Sequence, residues 1–300
     1  MINTLITIVG PTAIGKTALS IQLAAYFGCE IISCDSRQFY KEMSIGTAVP
    51  NKNELKAAPH HFIQNRSITE DYNVGEFEKD ALAKLDELFK KSPIQIMVGG
   101  SGLYVDAVLQ GLNYFPKIHP EVRKKITLNF ENEGIESLQK QLKVLDIEAF
   151  NTIAIDNPQR LIRALEVCIG SGKTYSSFKN QRKIKRNFNS IKIGLKAEKE
   201  IIYNRINHRV DIMMKNGFLE EVKTLLPFKQ LNALQTVGYR EFFGYLEGKY
   251  TLDFAIDEMK KNTRRFAKRQ GTWFRKDKSI IWFDFQENIN KIIETINTKI

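Results

Sequence analysis

Short apolar runs that stop at glycine alternate with amphipathic segments along the first hundred residues. Residues 5–9 and 94–98 are rich in apolar side chains, and each run ends at a glycine. Between them, residues 17–27 and 77–89 carry apolar side chains at helical spacing. Strands that alternate with helices in this way predict a parallel sheet covered by helices on both faces.

Further strands and helices are predicted along the chain. Residues 30–34 form a short apolar run that ends at Asp35. Because parallel sheets bind ligands at the carboxyl ends of their strands, Asp35 is a candidate site residue. Later in the chain, residues 191–195 and 280–283 predict strands, and residues 198–226 and 252–274 predict long helices.

The middle of the chain has a different pattern. Residues 116–189 show apolar side chains at helical spacing and no clear strand signal. We therefore predict an all-helical insertion domain at 116–189, placed within a core made of residues 1–115 and 190–300.

The net charge favours a polyanionic partner. The 300 residues include 45 Lys and Arg against 34 Asp and Glu, a formal net charge of +11. Charge of this size also occurs in ordinary basic enzymes, so its distribution matters. Nine of the cations fall within residues 259–278, and a second cluster comprises Lys179, Arg182, Lys183, Lys185 and Arg186. We expect a basic helix face in the first segment, with Trp273 and Phe274 in the core.

Cysteine usage and hydropathy predict a cytoplasmic protein. Cys29, Cys34 and Cys168 are irregularly spaced, which argues against a zinc site and for reduced, packed thiols. Residues 1–9 read as a strand rather than a signal peptide. Since no apolar run reaches about 18 residues, we expect no membrane partner.

One segment fits the phosphate-binding motif G-x-x-x-x-G-K-[ST]. An apolar strand precedes it and an amphipathic helix follows it, as a P-loop requires. Its backbone N–H groups would cradle phosphate oxygens, Lys16 would add a charge, and the Thr17 hydroxyl could ligate Mg²⁺. The predicted diphosphate-binding residues are Gly10, Pro11, Thr12, Ala13, Ile14, Gly15, Lys16 and Thr17. We therefore predict an α/β fold with a P-loop NTPase-like parallel sheet.

A second Gly-Lys-Thr occurs at residues 172–174. The position five before Gly172 is Val167 instead of glycine, and the preceding segment has a helical pattern. We interpret it as a helix end followed by a turn.

Three further positions carry candidate chemistry. Asp35 could hold Mg²⁺ through water, take a proton from an amine, or cap a turn. Ser101, after Gly99 and Gly100, could reach a phosphate or simply begin a helix. Arg205 and Arg209 lie four apart on one predicted helix, so they either grip a departing diphosphate or form a solvated stripe.

Several motifs together resemble bacterial tRNA dimethylallyltransferases. They occur in the same order over nearly the whole chain and are jointly far more specific than the P-loop. The matching segments are residues 10–17, 34–41, 45–48, 59–61, 98–104, 156–160, 237–241 and 267–270.

The resemblance implies a reaction and a set of catalytic groups. The family transfers dimethylallyl from dimethylallyl diphosphate to N6 of adenosine-37, beside the anticodon, in tRNAs reading codons that begin with U. It uses Mg²⁺, with Thr17 expected at the metal. Asp35 is the expected general base, Ser101 replaces the usual Thr, and Arg209 is placed on the diphosphate.

The resemblance also implies an RNA surface. The expected partner is a tRNA anticodon stem-loop, over which the insertion domain would close, and the enzyme is expected to be a monomer. The residues expected at the tRNA are Asp35, Ser36, Arg37, Gln38, Ser101, Arg123, Gln159, Arg160, Leu161, Ile162, Arg163, Gly238, Tyr239 and Arg240.

Three other functions remain open at this point. A small-molecule P-loop kinase would share the cradle but has no use for the basic helix. A nucleotide-dependent RNA-binding switch would not need Asp35. A prenyltransferase acting on free adenylates would have less use for the basic segments and the insertion.

Overall fold

The computed structural model describes residues 2–179 and 185–300. Within these residues, six strands form one parallel sheet in the order β3-β2-β4-β1-β5-β6. The strands are β1 (Thr4–Val9), β2 (Ile31–Ser33), β3 (His60–His61), β4 (Ile94–Val98), β5 (Asn189–Lys196) and β6 (Ile281–Asp284). The predicted P-loop NTPase-like α/β fold is confirmed, since all six strands run parallel, helices alternate with them, and the P-loop segment connects β1 to the helix that follows it.

Helices precede and follow these strands. Those of the first part of the chain are α1 (Lys16–Phe27), α2 (Lys52–Ala57), α3 (Val74–Leu88) and α4 (Gly102–Gln110). The middle holds α5 (Pro120–Glu133), α6 (Ile135–Leu145), α7 (Ile147–Thr152) and α8 (Pro158–Ser171). The last part holds α9 (Lys199–Lys215), α10 (Phe218–Leu225), α11 (Tyr239–Leu246), α12 (Leu252–Phe274) and α13 (Ile289–Asn297).

The central strand β1 is buried on both faces. Ile6 and Ile8 join a cluster with apolar residues of α1 and α13, whereas Leu5 and Val9 join a second cluster with α3 and α4. Successive side chains of a strand point to opposite faces, so a strand covered on both sides is apolar at nearly every position. This burial explains the continuous apolar run in the sequence. The P-loop begins directly after β1, at the carboxyl edge of the sheet.

The chain divides into two compact units. One comprises Met1–Gln110 and Lys185–Ile300, and the other is Gly111–Ile184, whereas the sequence had placed the insertion at 116–189. In the described part of the second unit, helices α5 to α8 enclose an apolar cluster that includes Ile126, Leu138 and Leu165.

The predicted helix over 198–226 is wrong in one respect. It is two helices, α9 and α10, separated by Asn216 and Gly217, and Gly217 has a φ of 92°. A left-handed residue cannot continue a right-handed helix, so the chain changes direction there. The break lets α10 pack with α11 and the start of α12 in a separate apolar cluster that includes Phe218, Phe242 and Met259.

Smaller expectations have mixed outcomes. All three cysteines are buried and free, and Gly172 caps the carboxyl end of α8, so the second Gly-Lys-Thr is a helix end as predicted. Trp273 is 40% exposed instead of lying in the core. In the second basic cluster, Arg186 pairs with Glu78, while Arg182 and Lys183 lie outside the described residues. Within the described ranges, no helix is long and apolar enough to cross a membrane.

Candidate active site

The loop between β1 and α1 forms a turn around the amino end of α1. Gly10, Ala13 and Gly15 have positive φ angles of 145°, 65° and 113°. Ala13 is unusual among them, because an L side chain rarely adopts this conformation. These angles curve the loop around the N-terminus of α1, and a curved loop at a helix N-terminus is an arrangement that binds anions.

Lys16 lies folded against this loop. Its Nζ donates to the carbonyl oxygens of Gly10 at 3.1 Å and Pro11 at 2.8 Å. Burial lowers its pKa to about 8; the Asp35 carboxylate opposes this change and Arg209 adds to it. Lys16 is therefore a cation whose charge is costly to bury and which an anionic ligand would stabilise.

Two arginines of α9 reach the same loop differently. Arg205 Nε donates to the Ala13 carbonyl at 2.7 Å, and its guanidinium lies over the Phe285 ring. Arg209 lies 3.4 Å from Thr12 Oγ1, and burial and Arg205 lower its pKa against the effect of Asp35. Arg205 thus holds the backbone of the loop at Ala13, while Arg209 contacts the side chain of Thr12.

Asp35 follows β2 and begins a tight turn. Its Oδ1 accepts from the Arg37 N–H at 3.1 Å, which leaves the second carboxylate oxygen available for other partners. Ser101 Oγ lies 3.3 Å from Ser36 Oγ and accepts from the Ser36 N–H at 3.4 Å. The structure therefore brings the ends of β2 and β4 together, as the sequence predicted.

Two cavities meet at this edge of the sheet. The first, of about 490 Å³, is lined by Ser101, Tyr104, Arg240 and residues of α12. The second, of about 890 Å³, is lined by the P-loop from Thr12 through Thr17. The residues that line both cavities are Thr12, Asp35, Thr47, Ala48, Arg209 and Met213. The Asp35 carboxylate and the Arg209 guanidinium thus lie at the border between the first cavity and the second cavity, which contains the P-loop.

The first cavity combines cations with aromatic rings. Arg37, Arg240 and Arg269 line it, together with Phe266 and Trp273. Trp273 Nε1 donates to Asp106 Oδ2 at 3.0 Å, which orients the indole at the cavity wall. Rings and guanidinium planes of this kind suit a nucleobase with its neighbouring phosphates.

The candidate residues next to Asp35 are held by the protein itself. Gln38 Nε2 donates to the carbonyl oxygens of Thr47 at 3.1 Å and Ala48 at 3.0 Å. Arg37 Nη1 donates to the carbonyl oxygens of Asn232 and Ala233. Both side chains consequently shape the cavities through backbone contacts.

Three residues expected at the tRNA have buried side chains. Tyr239 is 0% exposed and its hydroxyl donates to Glu221 at 2.7 Å, so this residue offers no surface to a ligand. Leu161 and Ile162 lie in the apolar cluster of the second unit. The neighbouring Arg240 and Arg160 are exposed, because the α-helix points successive side chains in different directions.

Within the second unit, three of the expected RNA contacts lie together. Arg123 donates to Glu166 and to Gln159, each at 3.1 Å, and Arg163 donates to the same Glu166 at 2.9 Å. Glu166 is buried and holds both guanidinium groups, which remain 45% and 40% exposed. This cluster presents preorganised cations from α5 and α8.

The oxygen atoms near the P-loop suit a hard cation. Thr17, Asp35 and Ser33 line the second cavity, and hydroxyl and carboxylate oxygens are the ligands that Mg²⁺ prefers. Among the described residues, no group of three His, Cys, Asp or Glu side chains is placed to hold a metal. The donor set therefore fits an ion that completes its coordination with phosphate and water oxygens.

Two residues that hold the loops of the site were not identified from the sequence. Gln270 of α12 accepts from the Thr12 N–H, and Glu221 of α10 receives backbone N–H groups of residues 44–46. Gln270 ends a segment that carried the resemblance, which was the available signal. Glu221 had none, since residues 44–46, whose N–H groups it accepts, lie more than 170 positions away.

Comparison with known proteins finds a single protein family that matches nearly the whole chain. The sequence profile described as IPP transferase matches residues 38–277. A tRNA dimethylallyltransferase of Flavobacterium psychrophilum is 60% identical over 303 residues, covering 99% of each chain.

Solved structures agree. The full-length tRNA isopentenylpyrophosphate transferase of Bacillus halodurans is 36% identical, with a TM-score of 0.72 over 99% of this chain and 95% of its own. A eukaryotic dimethylallyltransferase, described as acting on tRNA, is 27% identical with a TM-score of 0.78, covering 95% of this chain and 74% of its own.

Proposed function

The chain belongs to the family of tRNA dimethylallyltransferases, the IPP transferases, and we propose how its site transfers the dimethylallyl group to a tRNA adenosine. The observation that carries the proposal is the shared border of the two cavities. Asp35 and Arg209 line both, with the P-loop in one and a cationic, aromatic wall in the other. A diphosphate donor and a nucleobase acceptor would therefore meet at Asp35.

The second cavity would hold dimethylallyl diphosphate. The backbone N–H groups of the P-loop and the amino end of α1 would bind phosphate oxygens, and Lys16 would exchange its carbonyl partners for the anion. Arg209 would balance charge that gathers on the diphosphate as the C1–O bond breaks. Arg205, already bonded to Ala13, would keep the loop in shape.

Mg²⁺ would be held by the Thr17 hydroxyl, with Asp35 close by. When bound, the ion would neutralise diphosphate charge as a Lewis acid. The protein's own groups bind and orient the donor around it.

The chemistry at the border is an attack by the adenine N6 on the allylic C1. The N6 lone pair forms the new C–N bond while the C1–O bond breaks and its electron pair leaves with diphosphate. The N6 proton passes to the Asp35 carboxylate. The Arg37 N–H holds Oδ1 of that carboxylate at 3.1 Å, which aims the group at the border.

The acceptor would enter through the first cavity. To reach Asp35, the target adenosine must leave its stack in the anticodon loop, and Phe266 and Trp273 would offer it apolar faces. We place the target at adenosine-37 of tRNAs that read codons beginning with U. The exposed cations Lys261, Arg265, Lys268 and Arg269 on α12 would contact the backbone.

The second unit would contribute further RNA contacts. Arg123, Gln159, Arg160 and Arg163 are its candidate groups, and closure over the stem-loop would exclude water from the allyl group. The proposal includes a monomeric, cytoplasmic enzyme.

The test uses the purified protein with Mg²⁺ and dimethylallyl diphosphate. One reaction contains an anticodon stem-loop with adenosines at positions 36 to 38, and a matched reaction contains AMP. Mass spectrometry should find one C5H8 unit on the RNA alone. Addition to AMP alone would indicate a free-adenylate prenyltransferase. ATP turnover that Lys16→Ala abolishes, without any prenylation, would indicate a kinase.

A further inference from the structure

The loop that follows β2 forms part of the border between the two cavities. Thr47 and Ala48 line both cavities, Gly46 lines the first, and Ile45 lines the second. Any movement of this loop would change the space on both sides of Asp35. The contacts that hold this loop in place therefore affect the reaction.

One carboxylate holds the loop from the outside. Glu221 Oε2 accepts from the N–H groups of Ser44 at 3.0 Å and Ile45 at 2.7 Å. Its Oε1 accepts from the Gly46 N–H at 2.9 Å and the Tyr239 hydroxyl at 2.7 Å. These four bonds use the acceptor sites of a carboxylate in full.

Backbone contact adds to these hydrogen bonds. A Cβ at Gly46 would lie 2.4 Å from Phe218 and 2.7 Å from the Tyr239 oxygen, so no side chain fits there. Burial, with Glu221 beside it, raises the pKa of Tyr239, which keeps its hydroxyl a donor at neutral pH. The loop thus lies directly on α10 and α11.

Hydrogen bonds also hold the other side of the loop. Gln38 binds the carbonyl oxygens of Thr47 and Ala48, and Thr47 Oγ1 donates to the Met43 carbonyl at 2.5 Å. Ala48 has a φ of 51°, in the left-handed region that L residues rarely adopt. Such a conformation persists only where the surroundings impose it.

We propose that Glu221 is a positioning residue that fixes residues 44–48 as an immobile wall between donor and acceptor. The inference rests on the proposed function of the site. Glu221 lines neither cavity and acts through the loop. A fixed wall keeps C1 facing the adenine amine and keeps water away from it.

A mobile wall would let water compete with the amine. The water oxygen then bonds to C1, the C1–O bond to diphosphate breaks, and dimethylallyl alcohol forms with loss of a proton. The ratio of this alcohol to prenylated RNA therefore measures how well the wall excludes water. A simple loss of folded enzyme lowers both products together and leaves the ratio unchanged.

The experiment measures both products for four proteins with Mg²⁺, dimethylallyl diphosphate and the stem-loop. Glu221→Gln removes acceptor sites and should raise the alcohol-to-RNA ratio about tenfold. Ala48→Gly relieves the positive φ, so it should fold as well as the wild type while still raising the ratio. Glu42→Gln is the control, because Glu42 accepts from Ser67 and Ile68 and lines neither cavity.

The outcomes separate the two proposals. Wild-type ratios in both Glu221→Gln and Ala48→Gly would overturn the positioning role, and so would an equal rise in Glu42→Gln. If Glu221→Gln does not fold, the ratio in Ala48→Gly decides. A wild-type protein that prenylates no RNA would instead overturn the proposed function, and the inference with it.

Discussion

Gln270 ties the P-loop to the end of β4. Its Oε1 accepts from the Thr12 N–H at 2.8 Å, and its Nε2 donates to the Gly100 carbonyl at 3.0 Å. The side chain comes from α12, 258 positions after Thr12. One amide thus connects the anion cradle, the strand that precedes Ser101 and the helix that carries the basic face.

Removing this amide should weaken both folding and donor binding. Gln270→Ala leaves two backbone groups without partners, which costs about 1–3 kcal/mol of unfolding free energy. We expect a lower Tm and a raised KM for the donor, measured by thermal unfolding and steady-state kinetics. Gln270→Glu keeps the acceptor for Thr12, so its donor KM should lie closer to the wild type. Equal KM values in all three proteins would contradict the prediction.

Donor binding should depend on the charge of Lys16. Its pKa is lowered to about 8, and a bound diphosphate favours the protonated form. Affinity should be level below pH 8 and fall above it, by up to about tenfold per pH unit. Titration of dimethylallyl diphosphate from pH 7 to 9.5 measures this. Lys16→Arg remains charged throughout, so an equally steep decline in that variant would remove Lys16 as the cause.

Asp35→Asn should separate chemistry from binding. The Asn oxygen can still accept from the Arg37 N–H, so the turn is retained, but an amide cannot take the N6 proton. Single-turnover transfer should fall by about 10²–10⁴, while the Kd for the stem-loop stays unchanged. Wild-type rates in this variant would exclude Asp35 as the base.

The two arginines of α9 should differ in their effects. Arg209 lines both cavities, whereas Arg205 lines only the second and holds the Ala13 carbonyl. Arg209→Ala should lower kcat more than Arg205→Ala, by about tenfold or more, because it loses charge stabilisation of the leaving diphosphate. Measurement of kcat and donor KM for both variants tests this. A larger loss of kcat in Arg205→Ala would reverse the assignment.

Arg123 should contribute to RNA affinity alone. Arg123→Ala leaves Arg163 paired with Glu166, so the second unit keeps its packing. The Kd for the stem-loop should rise, and the slope of log K against log salt should fall by about 1. Lys143→Ala removes an exposed cation of the same unit and serves as the control. Equal changes in the two variants would mean that only net charge matters.

Much of the site could be predicted because its elements are local in sequence. The strand, loop and helix around Lys16 are adjacent along the chain, and Asp35 and Ser101 each follow directly after a strand. Parallel strands place such positions at one edge of the sheet, which explains why Asp35 and Ser101 meet. By contrast, the short strand β3 depends on packing partners that the local pattern does not contain. The break at Gly217 does have a local signal, the Asn216–Gly217 pair, because glycine readily adopts the left-handed conformation that ends a helix.

The order of apolar and polar residues by itself determined the parallel sheet, the phosphate cradle and the positions of Lys16 and Asp35, because short-range periodicity and backbone geometry produce them. Only the tertiary structure decided that Tyr239, Leu161 and Ile162 are buried, that Arg209 lines the border of the cavities, and that Gln270 and Glu221 hold the surrounding loops. Those roles arise from contacts between residues that are distant in sequence. Whether a side chain faces a ligand or a neighbouring helix depends on how the helices pack, which the local sequence pattern does not specify.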